Sequence, residues 1–501
     1  MRVLTARILI GLGLFLASAA PAQADLVQLQ RGDLERGSQL ARSAGGEELA
    51  HELMIWRVPA YAVGDLRRAG VVRRSSPERL LATNGAALTA TDPLVSQQWW
   101  IGAIGADKAE PPGPGKPVTV VDSGVDLTHP EFAGRPNTTA LNLQTTVEED
   151  EDHGTEVSSI VAAPNNGVGI VGVYPQAVLR VWDASPFGFL NEGAAIQGIV
   201  EAARRGPGVI NLSFGGEDND PLLEEAISFA IRNGSLVVAA AGNEGFEGSP
   251  DNYPAFYPHV LTVGATNESG RIAGFSTISS TVDLVAPGVR MPVAEPTAEN
   301  PSGYVLVSGT SFASPLVAGV AAWVWTVRPD LDNTQLFELM RNSASDMGEP
   351  GFDHAAGHGL LNVPSALSFK TPARDPQEPN DEPDQIEPHR LFAVGTTPLT
   401  SPAHTTGFLS ARVDRNEDPV DLYRVWAPGA RTLRVRGAGQ VAVRLLGRAA
   451  RARKPVMLAA GKNGVATYRN RGKRGVYLYA EVRPAATRTS EYTLRITAAR
   501  R

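Results

Sequence analysis

Residues 234–245 read Gly234-Ser-Leu-Val-Val-Ala-Ala-Ala-Gly-Asn-Glu-Gly245. The apolar run from Leu236 to Ala241 does not alternate and is bounded by glycines. A strand with one wet face alternates. A short, uniformly apolar run instead fits a strand buried on both faces, as in a parallel sheet covered by helices. The same pattern recurs at Val118–Val121, Val178–Val181, Val209–Leu212, Val260–Val263 and Val282–Val285. Helical spacings lie between these runs. Ile196, Ile199, Val200 and Ala203 fall at i, i+3, i+4 and i+7, as do Leu223, Ala226, Ile227 and Ala230. The alternation predicts a three-layer α/β/α domain with a mostly parallel sheet over residues 92–370.

On either side the chain changes character. Arg2 and Arg7 precede an apolar run, Ile8–Leu16, that leads to Ala22-Gln23-Ala24. This order predicts a secretory signal peptide over residues 1–24 and an exported, extracellular protein. The run is shorter than the roughly 20 residues a spanning helix needs, so no membrane span is expected. Residues 25–91 are read as a small α/β unit. There Leu53–Val58 alternates weakly, and Leu66–Pro77 gives a helix end, a glycine stop and a strand. The acidic, proline-rich stretch Asp375–Asp384 predicts a linker over 371–385. Beyond it, period-2 patterns at Leu433–Arg436, Val441–Leu446, Val476–Val482 and Tyr492–Ile496 predict a small antiparallel β-sandwich over 386–501.

Composition narrows the chemistry. None of the 501 residues is cysteine, which excludes disulfide scaffolds, thiolate metal sites, cysteine nucleophiles and iron–sulfur clusters. The net charge of −7 hides a split, because residues 401–501 hold 21 Lys and Arg against 6 Asp and Glu. Such asymmetry suits separate domains with different surroundings.

Four glycine-marked segments carry reactive groups. Asp122 closes the strand Val118–Val121, His153 opens His-Gly-Thr-Glu-Val, Asn243 ends Ala-Ala-Ala-Gly-Asn, and Ser311 lies in Gly-Thr-Ser-Phe-Ala-Ser-Pro at a helix start. A serine hydroxyl is a poor nucleophile until a base lies within hydrogen-bond reach. A neutral imidazole is such a base, and a buried carboxylate fixes its tautomer. The oxyanion needs donors, which an amide side chain and backbone N–H groups at a helix start supply. Each residue alone has a plainer structural role; the ordered set points to acyl transfer.

Val-Val-Asp122-Ser-Gly, His153-Gly-Thr-Glu-Val, Ala-Ala-Gly-Asn243-Glu-Gly and Gly-Thr-Ser311-Phe-Ala-Ser-Pro resemble the blocks of the subtilisin-like serine proteases, in that family's order. Asp92–Trp99, Val209–Gly216 and Gly357–Asn362 resemble intermediate segments, so the likeness spans about residues 92–369. It implies an endopeptidase with Ser311 as nucleophile, His153 as general base and then acid, and Asp122 orienting His153. By the same likeness, Asn243 and the Ser311 N–H are expected to form the oxyanion hole. The likeness also makes Ser213, Phe214 and Gly215 one wall of the primary specificity pocket and Ala240, Ala241 and Gly242 the other. Sedolisins share the Ser-Gly-Thr-Ser context but use Glu as base; the intact His153-Gly-Thr sets them aside. With an imidazole base, activity should rise as His153 deprotonates, near about 6.5 unless shifted.

The departures from the pattern bear on packing and selectivity. Ser159 stands where the family usually has Gly, which predicts crowding of the His153 helix. Phe214 is expected to narrow the pocket floor and Asn252 to reach its base. With Glu244 near the rim, apolar or aromatic side chains are the expected preference. No cofactor is required for the chemistry. The run Glu148–Asp152 is read either as a structural calcium site or as a solvated acidic loop, and no metal ligands are assigned.

Residues 25–91 resemble the pro-segments of secreted subtilases and imply an intramolecular partner that assists folding and blocks the cleft. The tail, with Glu378-Pro-Asn-Asp381 and Asp418-Pro-Val-Asp421-Leu-Tyr423, resembles bacterial pre-peptidase C-terminal domains. A convertase-type P domain is the alternative. Its positive balance suits anionic cell-surface polymers, while many of its arginines fit a solvated sandwich face; no nucleic acid is expected. The alternative function is an extracellular binding protein with an inactive protease domain and a basic tail.

Overall fold

The computed structural model describes residues 24–30, 34–50, 55–77, 91–144, 152–185, 190–298, 300, 302–348, 350–447, 456–461, 464–485 and 489–499. The signal segment up to residue 23 and the acidic residues 148–151 lie outside them. The chain divides into two compact units, residues 1–84 and 85–501.

The first unit is a four-stranded antiparallel sheet in the order Glu47–Ala50, Ile55–Pro59, Ala24–Leu29, Val72–Pro77, with helices Leu34–Ser43 and Ala60–Arg68. Trp56, Val58, Leu66 and Val71 are buried in its core. Gly70, at φ +74°, supplies the left-handed residue after the second helix that other side chains rarely adopt.

The second unit opens with the predicted α/β domain. Its seven-stranded sheet runs Leu284–Pro287, Val260–Thr266, Leu236–Ala240, Val209–Leu212, Pro117–Asp122, Val178–Asp183, Thr138–Ala140, every neighbouring pair parallel. Helices Glu192–Arg204 and Pro221–Arg232 cover one face, their Ile199 and Ile227 clustered with Leu212 and Val237 of the sheet. Helices His153–Ala162, Thr310–Val327 and Asn333–Asn342 cover the other. The last of these starts on a capping box, Asp332 accepting from the Gln335 N–H and Gln335 from that of Asp332.

Helix Thr310–Val327 is apolar all round, with 83% of its 18 residues buried, as expected of a helix inside a protein core. Among the described residues it is the one helix long and apolar enough to cross a membrane. At Gly319 it approaches its surroundings so closely that an added Cβ would lie 2.3 Å from Val173. The same Cβ would lie 3.8 Å from Val161 of the His153 helix, which runs alongside.

The remainder forms two four-stranded antiparallel sheets consistent with a β-sandwich. One is Gly407–Asp414, Thr489–Ala499, Thr432–Ala438, Val465–Arg469; the other is Asp421–Ala427, Val476–Pro484, Val441–Gly447, Val456–Ala460. Leu433, Val435, Val443 and Leu445 point inward while Arg434, Arg436 and Arg444 stand outward, the alternation a half-buried strand requires. The stretch expected to be a linker is instead packed. Asp375, Glu378 and Asn380 are buried, and Pro383–Ile386 forms a short helix. Leu422 N–H donates to both the Oδ1 and the carbonyl of Asn380, at 2.7 and 2.9 Å, fastening the connector to the sandwich. Composition alone does not reveal such a partner.

Candidate active site

In a parallel sheet every strand ends at the same edge, so residues that close neighbouring strands converge there. Asp122 closes Pro117–Asp122, Ser213 follows Val209–Leu212, and Asn243 lies just past Leu236–Ala240. His153 and Ser311 occupy the first turns of the two helices that face this edge.

Asp122 is buried and its Oδ1 lies 2.7 Å from His153 Nδ1. The same oxygen accepts the Ser123 N–H at 2.8 Å, so the carboxylate cannot swing away from the ring. Gly154 is required beside His153, because a Cβ there would sit 2.0 Å from the Gly124 carbonyl oxygen. His153 itself is partly exposed, its ring centroid 5.6 Å from that of Phe312.

Ser311 is the second residue of its helix, and its Oγ donates to the Ser213 carbonyl at 3.0 Å. Pro315 lies four residues on and has no N–H for the Ser311 carbonyl. The Ser213 hydroxyl donates to that carbonyl instead, at 2.8 Å. Asn211 Nδ2 donates to Ser213 Oγ and Ser314 Oγ donates to Asn211 Oδ1, so the helix start is tied to the strand end from both sides. The oxygen of the Asn243 amide accepts from the Thr310 N–H at 2.9 Å and from Thr310 Oγ1 at 3.0 Å. This leaves Asn243 Nδ2 as a donor facing an exposed position beside the helix N-terminus. Thr310 was not singled out by sequence reasoning, although its place beside Ser311 was the available signal.

A family model described as the subtilase family matches residues 113–359. Subtilisin NAT of Bacillus subtilis subsp. natto is 36% identical over 255 residues, which is 50% of this chain and 65% of its own length. A subtilisin of Bacillus pumilus is equally similar over 255 residues, which is 90% of its length. Subtilisin Savinase of Lederbergia lenta is 36% identical over 257 residues and 91% of its length.

The chain belongs to the subtilase family.

Fervidolysin of Fervidobacterium pennivorans, described as a keratinolytic enzyme related to subtilisin, shares the fold. Its TM-score is 0.51 at 22% identity, covering 90% of this chain and 70% of that one.

The walls assigned to this subtilase's specificity pocket flank one side chain. A Cβ on Gly215 would meet Asn252 Oδ1 at 2.1 Å, and one on Gly242 would meet Asn252 Nδ2 at 2.0 Å and Glu244 Oε2 at 2.4 Å. Asn252 therefore lies between the segment Ser213–Gly215 and the segment Ala240–Gly242. Its Nδ2 donates to Glu244 Oε2 at 3.2 Å, while its Oδ1 is buried without a partner. Thr277 Oγ1 donates to the same Glu244 oxygen at 3.1 Å. Glu244 thus points inward to the base rather than standing at the rim. Phe214 faces away from this space and packs with the apolar cluster under helices Glu192–Arg204 and Pro221–Arg232. Successive residues of an extended segment point to opposite sides, so the wall position of Ser213 sends Phe214 outward.

The His153 helix carries an unusual charge. Glu156 is buried one turn along, and its carboxylate, with those of Asp152 and Glu295, forms a group whose oxygens lie within 4.8 Å of one another. Ser159 is accommodated without breaking the helix. Its hydroxyl donates to the Glu156 carbonyl at 2.6 Å and accepts the Ala294 N–H at 3.0 Å. Burial pushes Glu156 up to about 8 despite the opposing pull of His153. For His153, burial disfavours the charged ring, but the charge and hydrogen bond of Asp122, with Glu156 and Asp152, outweigh it and push the ring up to about 9.

Proposed function

We propose that this subtilase is an exported serine endopeptidase that hydrolyses polypeptides through an acyl-enzyme. The observation that carries this reading is the fixed Asp122–His153 hydrogen bond of 2.7 Å at the same sheet edge as a helix-start serine and an amide whose donor is aimed outward. His153 Nε2 takes the Ser311 proton as Oγ attacks the scissile carbonyl carbon. The carbonyl electron pair moves onto oxygen, where Asn243 Nδ2 and the Ser311 N–H hold the negative charge. Collapse expels the amine, which takes the proton from His153, and leaves an ester on Ser311. Water, deprotonated by His153, then cleaves the ester and restores the hydroxyl. An extended substrate adds beside Ser213–Gly215, gaining affinity from main-chain bonds and selectivity from its pockets. Export by residues 1–24, a folding-assisting segment 25–91 and a basic tail that holds anionic cell-surface polymers belong to the same proposal. The test of the activity is incubation with an unfolded polypeptide and mass spectrometry of the products. Internal cleavage that produces new carboxyl ends is expected; an intact substrate sinks the reading.

Asn252 sets how deep a side chain can enter. Its position favours side chains that stop above it, which narrows the apolar or aromatic preference expected from sequence. In Asn252→Ala, the kcat/KM ratio for phenylalanine over alanine at the cleavage site should rise roughly tenfold, the scale of a few methylene contacts. An unchanged ratio on a pair of matched peptides would remove Asn252 from the pocket.

The pH profile tests the carboxylates around His153. The base must be neutral, so a ring held up to about 9 delays activity toward alkaline pH. Glu156→Gln removes a negative charge that favours the imidazolium. The rising limb of kcat/KM should therefore move to lower pH, toward the ordinary imidazole value. A limb that stays in place, or moves up, contradicts the coupling.

A further inference from the structure

Outside the cleft and the seam between the α/β domain and the sandwich, positive charge collects on one face of the tail. The sheet Gly407–Asp414, Thr489–Ala499, Thr432–Ala438, Val465–Arg469 buries alternate residues in the sandwich core and turns the others to solvent. Its solvent side carries Arg495 and, on the neighbouring strand, Arg434 and Arg436, with Arg469 on the strand beyond. Arg436 and Arg495 are direct cross-strand partners. Arg434 pairs across to Thr467, which places Arg469 one diagonal step away. Neighbouring strands lie about 4.8 Å apart and alternate residues of one strand about 7 Å apart, so the four arginines share one compact patch.

This patch is uncompensated. Like charges directly opposite on a sheet repel and cost stability. Among the described residues, none of the four arginines has a carboxylate within ion-pair distance. The one acid in either central strand, Glu491, lies four residues from Arg495, about 13 Å along the strand, and stands opposite Arg412. The other sheet of the sandwich differs. Its outward arginines Arg444 and Arg483 both reach Glu481, at 3.1 and 3.0 Å. A face that only keeps a protein in solution intersperses both signs, whereas a run of one sign sets up a field that gathers counter-charge.

The positive run continues past the sheet. After Arg469 the chain turns at Asn470, whose buried amide donates to the carbonyls of Ala427 and Arg474, at 3.0 and 2.9 Å, and accepts the Gly472 N–H at 3.0 Å. The turn held in this way leaves Arg471, Lys473 and Arg474 exposed. Uncharged neighbours complete the face. Thr467 and Thr497 flank Arg434 on either side, and Phe408, 61% exposed, is the cross-strand partner of Arg495.

We propose that this face binds an acidic polysaccharide, whose carboxylates sit among Arg434, Arg436 and Arg495 while Phe408 packs under a sugar ring. The proposal rests on the reading of the tail as a holder of anionic cell-surface polymers, and gives that reading its face and its polymer. A guanidinium fork takes both oxygens of a planar carboxylate in parallel, and threonine hydroxyls both donate to and accept from sugar hydroxyls. Single-stranded nucleic acid fits less well. Sheets that hold it stack two or three bases on aromatic side chains, and among the described residues Phe408 is the one ring on this side of the sheet.

The test uses the full chain carrying Ser311→Ala, so that binding is measured apart from proteolysis, passed over immobilised polygalacturonate and neutral dextran at several salt concentrations. Binding to polygalacturonate, weakened by salt and absent on dextran, is expected. Arg436→Gln together with Arg495→Gln should weaken it about tenfold or more, the scale of two charge-assisted contacts. Arg390→Gln together with Arg415→Gln removes two charges from exposed positions elsewhere in the tail and should leave binding nearly unchanged. All four side chains are exposed, so both variants keep the fold. Phe408→Ala should weaken binding several-fold at an unaltered salt dependence; full affinity there would overturn the sugar contact. Equal weakening by the two arginine pairs would reduce the effect to net charge and overturn the face. Full binding in Arg436→Gln with Arg495→Gln would also overturn the face, with the tail still a holder of anionic polymers. Chain with both arginine pairs intact that ignores polygalacturonate removes that reading too. Tighter binding to single-stranded DNA would overturn the assignment of a polysaccharide.

Discussion

Ser311→Ala is expected to lower kcat on a peptide substrate by about 10⁶-fold, and Asn243→Ala by about 10²–10³-fold, magnitudes carried over from the corresponding groups of subtilisin itself. The gap between the two follows from their roles. Removing Ser311 deletes the atom that forms the ester, leaving only what binding and the oxyanion donors give to attack by water. Removing the Asn243 amide deletes one of two donors, and that donor matters only when the carbonyl oxygen carries charge. KM should therefore change little in Asn243→Ala, because the ground-state carbonyl gains little from the amide. The orientation of that amide depends on Thr310, which holds its oxygen through two bonds of 2.9 and 3.0 Å. Steady-state kinetics on one peptide decides the matter. An Asn243→Ala enzyme whose loss appears entirely in KM would mean that the amide binds substrate rather than the oxyanion.

Arg341→Met is expected to destabilise the second unit by about 3–5 kcal/mol, the cost of leaving buried carboxylates without their counter-charge. Arg341 is buried, with Nε 2.9 Å from Asp283 Oδ1, Nη1 2.8 Å from Glu338 Oε1 and Nη2 3.6 Å from Asp414 Oδ2. It thus joins helix Asn333–Asn342 both to the loop before strand Leu284–Pro287 and to the sandwich. Burial pushes Asp283 up to about 7 even with Arg341 drawing it down. Without the guanidinium, Asp283 and its neighbours must bind protons to remain buried, and stability should fall further as pH rises above neutrality. Urea unfolding in the Ser311→Ala background reads the loss. Adding Asp283→Asn to Arg341→Met should recover part of it, since the stranded charge is then gone. A loss below about 1 kcal/mol would mean that the network is solvated rather than sealed.

The sheet was legible because strands buried on both faces leave continuous apolar runs. Val209–Leu212 and Leu236–Ala240 are fully buried strands, as their composition foretold. Thr138–Ala140 escaped notice because a three-residue edge strand with little burial carries no such pattern. The strand expected at Val282–Val285 runs over Leu284–Pro287, since an apolar run marks burial and not the register of pairing.

The residues of the cleft were legible as types, and their supports were not. Nothing local in the sequence says that Thr310 turns the Asn243 amide or that Ser213 supplies the bond Pro315 cannot. Those relations exist only after strand ends and helix starts have converged on one edge. The same is true of the seam. Asp375–Asp384 has the composition of a linker, and only the folded chain opposes it to His259, Arg412 and Asp421.

The central claim is that Ser311 is a nucleophile activated by His153. Its most direct measurement is covalent labelling with a fluorophosphonate, followed by peptide mapping. One phosphonyl group per chain is expected, attached to Ser311, formed far more slowly in His153→Ala and absent in Ser311→Ala. An unlabelled wild-type protein, or a label on another residue, would contradict it.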